Sequence, residues 1–208
     1  MKKIDNHTLF FGNYVDADLQ LNDLREYLID VKKFIDRKRR YREKRLTKSI
    51  FKDIALNMFT ESFSTTLYDS VMISLWIFME SEFRGYCRAM QSVMGIKISY
   101  SDIYGSSIEK FKIYSQKVAN LDFGLTNENW EDLKAINEIR NSMVHSDGVV
   151  KNKKLVEIFM KRHKLKGLLE ADRIVLSKKS LETIISYCRL VNERIYTVAL
   201  KRYPKDKK

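Results

Sequence analysis

The chain has 208 residues and a mass of 24.7 kDa, room for one domain or one domain with an appendage. Hydrophobic residues make up 44%, enough for a core, while 7 glycines and 1 proline are too few for a turn-rich all-β protein. A formal charge of +12 and a pI near 9.5 point to an anionic partner and say nothing about the fold.

Cys87 and Cys188 lack Cys-x-x-Cys spacing and no Cys/His cluster accompanies them, so neither a structural zinc site nor a disulfide scaffold is expected. Both fall on apolar stripes and read as buried free thiols. The N-terminus, Met1-Lys2-Lys3-Ile4-Asp5-Asn6, lacks the apolar stretch of a signal peptide. The apolar run over residues 71–79 is too short to span a bilayer. These features predict a soluble, cytoplasmic protein with no membrane partner, and an all-α fold.

In chain order, residues 1–15 read as a lead-in carrying Phe10, Phe11 and Tyr14, with Asp16 or Asp18 capping the first helix. Leu21, Leu24, Leu28, Val31 and Ile35 follow a 3-4-3-4 spacing, one packed face of a bundle. Arg37-Lys38-Arg39-Arg40-Tyr41-Arg42-Glu43-Lys44-Arg45 is the densest basic run. An aromatic among arginines can stack on a base, and Arg37, Arg39, Arg40, Tyr41 and Arg42 are candidates for gripping RNA. The alternative is a solvated helix end. Composition changes near Leu46.

A second helix is predicted over residues 65–90, apolar all round in its middle and therefore central to the bundle. Glu80 ends that apolar stretch and needs a partner. Arg84 lies one turn on; Arg140, from a later helix, is the other candidate. Residues 95–105 connect to a third helix opening at Ser106 or Ser107 and ending near Val118. Asn127 is a candidate N-cap for the next helix, whose inward stripe is Trp130, Leu133, Ile136, Ile139 and Met143. Gly148 sits where a left-handed glycine commonly ends a helix. An amphipathic piece over residues 155–164 and a loop over 166–176 lead to the last helix, opened by Ser177 or Ser180. Its stripe is Leu181, Ile184, Cys188, Val191, Ile195 and Val198.

The fourth helix carries the chemistry. Arg140, Asn141 and His145 form Arg-Asn-x-x-x-His near its end, with Asn141 and His145 one turn apart and Arg140 beside them. The segment over residues 130–148 resembles the signature helix of HEPN domains (higher eukaryotes and prokaryotes nucleotide-binding), whose pattern is Arg, four to six residues, then His, often with Asn after the Arg. The preceding apolar helix with Glu80 and the closing amphipathic helix match that context. The resemblance covers residues 55–202, an HEPN-like helical bundle. Residues 1–54 then form an added N-terminal helical extension with the basic run, and 203–208 a basic tail.

The resemblance implies a metal-independent endoribonuclease with no cofactor, of the toxin or phage-defence kind. RNA is cut when its 2′-hydroxyl attacks the adjacent phosphate. This step needs a base, an acid and a cation. His145 titrates near neutrality and suits the proton transfers. Arg140 offers a bidentate fork for phosphate, Asn141 can orient the imidazole or bind phosphate, and Glu80 would support Arg140. His7 and His163 read as belonging to the lead-in and to a solvated basic patch, so one chain offers one good histidine. A two-fold homodimer with facing motifs, as is common in that family, would complete a composite site. An antitoxin or regulatory protein is a further implied partner. No Tyr follows His145 closely, unlike toxins modified by a partner nucleotidyltransferase. The alternative function is a non-catalytic HEPN dimer that binds nucleic acid or a protein.

Overall fold

A computed structural model describes residues 6–45 and 52–203. They are predominantly helical, in agreement with the all-α expectation, with one minimal hairpin. The composition change near Leu46 and the tail beyond Tyr203 lie outside the described residues.

Helix α1 (Asn6–Arg45) begins far earlier than the sequence suggested. Its 3-4 seam runs back from Leu21 through Ala17 and Tyr14 to Phe10. Phe10 is fully buried and stacks on Tyr203, with ring centroids 5.3 Å apart. Tyr14 stacks on Tyr196 at 3.9 Å. From Asn6 onward the supposed lead-in is therefore helix, fixed by aromatic packing against the C-terminal helix.

Helix α2 (Lys52–Met94) also exceeds its expected span. Val71, Met72, Leu75, Trp76 and Met79 are completely buried, yet Ile77 is 55% exposed, so one face reaches solvent. Phe10 meets Tyr86 and Phe34 meets Phe63, which makes α1 and α2 antiparallel. Tyr14 meets Tyr196 and Arg189 pairs with Asp18 at 3.3 Å, so α6 (Lys178–Arg202) also opposes α1. Tyr86 donates to Asn192 across the α2–α6 contact at 2.8 Å. Near the start of α6, burial, then the charges of Asp36 on α1 and Glu182 on α6, push the phenol of Tyr68 on α2 up. Past that point α1 and α2 continue as a two-helix arm.

A 3₁₀ turn at Tyr100–Asp102 leads to α3 (Ser107–Ile113), which widens into a π turn at Tyr114–Val118. Ser106 caps α3 in a reciprocal box with Glu109. Phe111 stacks on Phe83 at 4.6 Å and tilts against Trp130 at 6.0 Å, tying α3 to α2 and to α4 (Asn127–His145). The cap of α4 is Thr126 rather than Asn127: its hydroxyl accepts from the Asn129 N–H, and Asn129 answers the Thr126 N–H at 3.0 Å. The predicted stripe of α4 packs into the core, with Met143 at its edge. Helix α5 (Lys153–Arg162) and strands β1 (Leu169–Glu170) and β2 (Arg173–Ile174) follow. Both serines proposed to open α6 take part, Ser177 as cap and Ser180 as its reciprocal partner. Cys87 and Cys188 are buried free thiols, and burial pushes the Cys188 thiol up to about 12. No described helix is long and apolar enough to cross a membrane.

Candidate functional site

The C-terminal half of α4 is held from three directions. Ile139 and Ser142 are buried, with the Ser142 hydroxyl donating to the Ile139 carbonyl at 2.7 Å. Past His145 the chain turns through Asp147 and Gly148, both left-handed at φ 50° and 82°. Aspartate tolerates that region and glycine pays no Cβ penalty there. The Gly148 N–H donates back to the Ser142 carbonyl at 2.8 Å, closing the helix. The β1–β2 hairpin then clamps the turn: Ile174 donates to the Gly148 carbonyl, and Arg173 pairs with Asp147 at 2.8 Å. Glu138 holds the following segment by accepting the Lys151 and Asn152 N–H groups at 2.7 and 3.0 Å.

On this frame Asn141 and His145 line one open cavity of about 230 Å³ with Glu138, Ser142, Ser146 and Lys151. Arg140 does not line it, but its Nη1 donates to Asn141 Oδ1 at 2.9 Å. Its Nε is buried without a hydrogen-bond partner among the described residues. The His145 side chain is exposed and makes no hydrogen bond to the described residues. Asn141 thus bonds Arg140 on one side and shares a cavity with His145 on the other.

Glu80 stands apart from this group. Its Oε1 accepts from Trp76 Nε1 at 3.0 Å and from Ser107 Oγ at 2.9 Å, so it fixes the start of α3 to α2. It pairs with neither Arg84 nor Arg140; a nearby indole and hydroxyl satisfy the carboxylate locally. Arg37, Arg39, Arg40, Tyr41 and Arg42 all sit exposed at the end of α1. Tyr41 borders two grooves there, one with Arg37, Arg40 and Lys44, the other with Lys38, Arg42, Arg45 and Phe63. The Arg45 guanidinium lies 5.4 Å from the Tyr41 ring and donates to its hydroxyl.

Sequence reasoning missed two things. Glu138 and Lys151 share the cavity; Glu138 was readable, because 138, 141 and 145 follow the 3-4 spacing of one helix face. His163 is not in a solvated patch: its Nε2 lies 2.7 Å from Oδ2 of the buried Asp132, which Arg162 also engages. Phe159 and Tyr187 enclose the imidazole. The signal was Asp132 itself, a carboxylate on the apolar stripe of α4. The side chain of His7 lies outside the described residues. No cluster of three or more His, Cys, Asp or Glu able to hold a metal occurs among the described residues.

Comparison with protein-family models, with curated proteins and with solved structures finds no match.

Proposed function

We propose that the protein is a metal-independent endoribonuclease of the HEPN type, acting as a two-fold homodimer, in the setting of a toxin or phage-defence effector under an antitoxin or regulatory partner. The observation that carries this reading is the Arg140–Asn141 hydrogen bond, with Asn141 and His145 on one cavity. Arg140 stabilises charge on the phosphorane, through one N–H already turned to Asn141 and others left for phosphate oxygens. Asn141 passes that orientation to the cavity. His145 moves protons between the 2′-hydroxyl, the leaving 5′-oxygen and solvent. A second His145, from a partner copy, supplies the complementary acid or base. The exposed cations of the arm bind RNA backbone without reading sequence.

A second reading, a non-catalytic module that binds nucleic acid or protein, is favoured by one observation: no hydrogen bond among the described residues orients the His145 ring. One experiment separates them. Purified protein and His145→Ala are incubated with a mixed RNA pool in EDTA, and products and RNA binding are measured. The nuclease reading expects 2′,3′-cyclic phosphate ends, lost by on the order of a hundredfold or more in the variant, with binding kept. Equal cutting by the variant refutes the site. Salt-sensitive binding without cutting by either protein supports the binding module.

A further inference from the structure

Between α2, the 3₁₀ turn and α3 lies a cleft of about 350 Å³ that the proposed nuclease chemistry does not use. Arg84 and Arg88 line one wall, a helical turn apart on α2, and Lys110 of α3 faces them. No acidic side chain among the described residues lies within ion-pair distance of any of these three cations. The nearby carboxylates are committed elsewhere. Glu80 accepts from Trp76 and Ser107, Asp102 from the Ser99 N–H at 2.8 Å, and Glu109 from Ser106 while pairing with Lys134 at 3.6 Å. Three like charges held around one space repel one another unless an anion lies between them.

The floor suits such an anion. The hydroxyls of Ser99 and Ser101 lie 2.6 Å apart at the cleft, sharing one hydrogen and leaving the other to donate outwards. Tyr100 turns its ring to the cleft while its hydroxyl donates to the Ser107 carbonyl at 3.1 Å. Lys110 Nζ stands 5.7 Å from that ring's centroid. Burial pushes the Tyr100 phenol up to about 12, and Arg84 lies close enough to offset part of that rise. Further along the same loop, the Tyr104 side chain is 93% exposed, a free aromatic face on which a base can stack.

We infer that this cleft binds the 5′-phosphate of a nucleotide, the doubly charged phosphate between Arg84, Arg88 and Lys110 and the base against the tyrosines of the loop. A terminal phosphate monoester matches three cations better than an internal phosphodiester, which carries a single charge. The same group is offered by a free mononucleotide and by a 5′-phosphorylated RNA end.

Isothermal titration of the full chain with 5′-AMP and with adenosine tests the site. The expected result is AMP binding at least about tenfold tighter than adenosine, with about a tenfold loss or more in Arg84→Gln/Arg88→Gln. Lys179→Gln, an exposed cation on α6 away from the cleft, should bind AMP as the unaltered protein does. Equal binding of AMP and adenosine, or undiminished AMP binding in the double variant, overturns the inference. Should the double variant fail to fold, Lys110→Gln decides alone, and full AMP affinity in it is equally fatal. A 5′-phosphorylated tetraribonucleotide preferred over its 5′-hydroxyl form, with the preference gone in the variant, assigns the RNA end as ligand. AMP binding without that preference assigns the free nucleotide. None of Arg140, Asn141 and His145 lines this cleft, so the comparison of AMP with adenosine stands or falls apart from the nuclease reading.

Discussion

Glu82 lies on the side of α2 near Asp16 of α1, and its Oε2 is buried without a hydrogen-bond partner among the described residues. Burial, with some repulsion from Asp16, raises its carboxyl to about 7. The folded chain therefore holds a proton that the unfolded chain releases near 4.5. A raised folded-state value gives stability that is full below the unfolded value and is lost as pH rises from there through about 7. Glu82→Gln removes the ionisation. It should raise stability at pH 8 by about 1–2 kcal/mol, solvent screening the remainder of the shift, and change little at pH 4. Thermal unfolding of both proteins across that range checks the sign: a variant less stable at pH 8 than at pH 4, relative to its parent, contradicts it.

Asp132 shows the same logic at the level of whole helices. It rises from the stripe of α4, and Arg162 and His163 close on it from the end of α5, so one carboxylate fastens two elements. Asp132→Ala leaves both partners facing an apolar wall and should cost about 3 kcal/mol. Hydrogen exchange should quicken most over Lys153–Arg162, the helix released by the change; uniform quickening across all helices would contradict a local fastening. Helices were legible where a stripe runs unbroken, as with Leu21 to Ile35 and Leu181 to Ile195, because burial of one face imposes the 3.6-residue period. Their ends were less so. The first turns of α1 looked like a lead-in because Phe10 and Tyr14 find their partners, Tyr203 and Tyr196, near the opposite end of the chain. His163 was misplaced for the same reason. Its neighbours in sequence are cations, and the carboxylate that holds it lies on another helix. Arg140 bonds Asn141, and Asn141 and His145 share a cavity, as their local spacing allows; Glu80 was sent to the wrong partner because spacing cannot rank a distant arginine against an adjacent indole.

At the scale of the molecule, the described chain divides into a body and an arm. The body is α6, α3 to α5 and the facing parts of α1 and α2; the arm is what those two long helices add beyond it. Binding of single-stranded RNA through the arm should be steeply salt-dependent. Neutralising Arg37, Arg40 and Arg42 together should flatten the logarithmic salt slope by about 2, at roughly 0.7 per phosphate contact. A slope unchanged in that triple variant would place the RNA elsewhere. The arm's length carries a further meaning. From Ile35, the last buried residue of the α1 seam, to Arg45 the helix adds about 15 Å, while charges are screened beyond about 8 Å at physiological ionic strength. An approaching polyanion therefore senses the tip and the body as two separate electrodes. Dilute salt would fuse them into a single attractor, so the path by which a strand first arrives depends on the medium as much as on the protein.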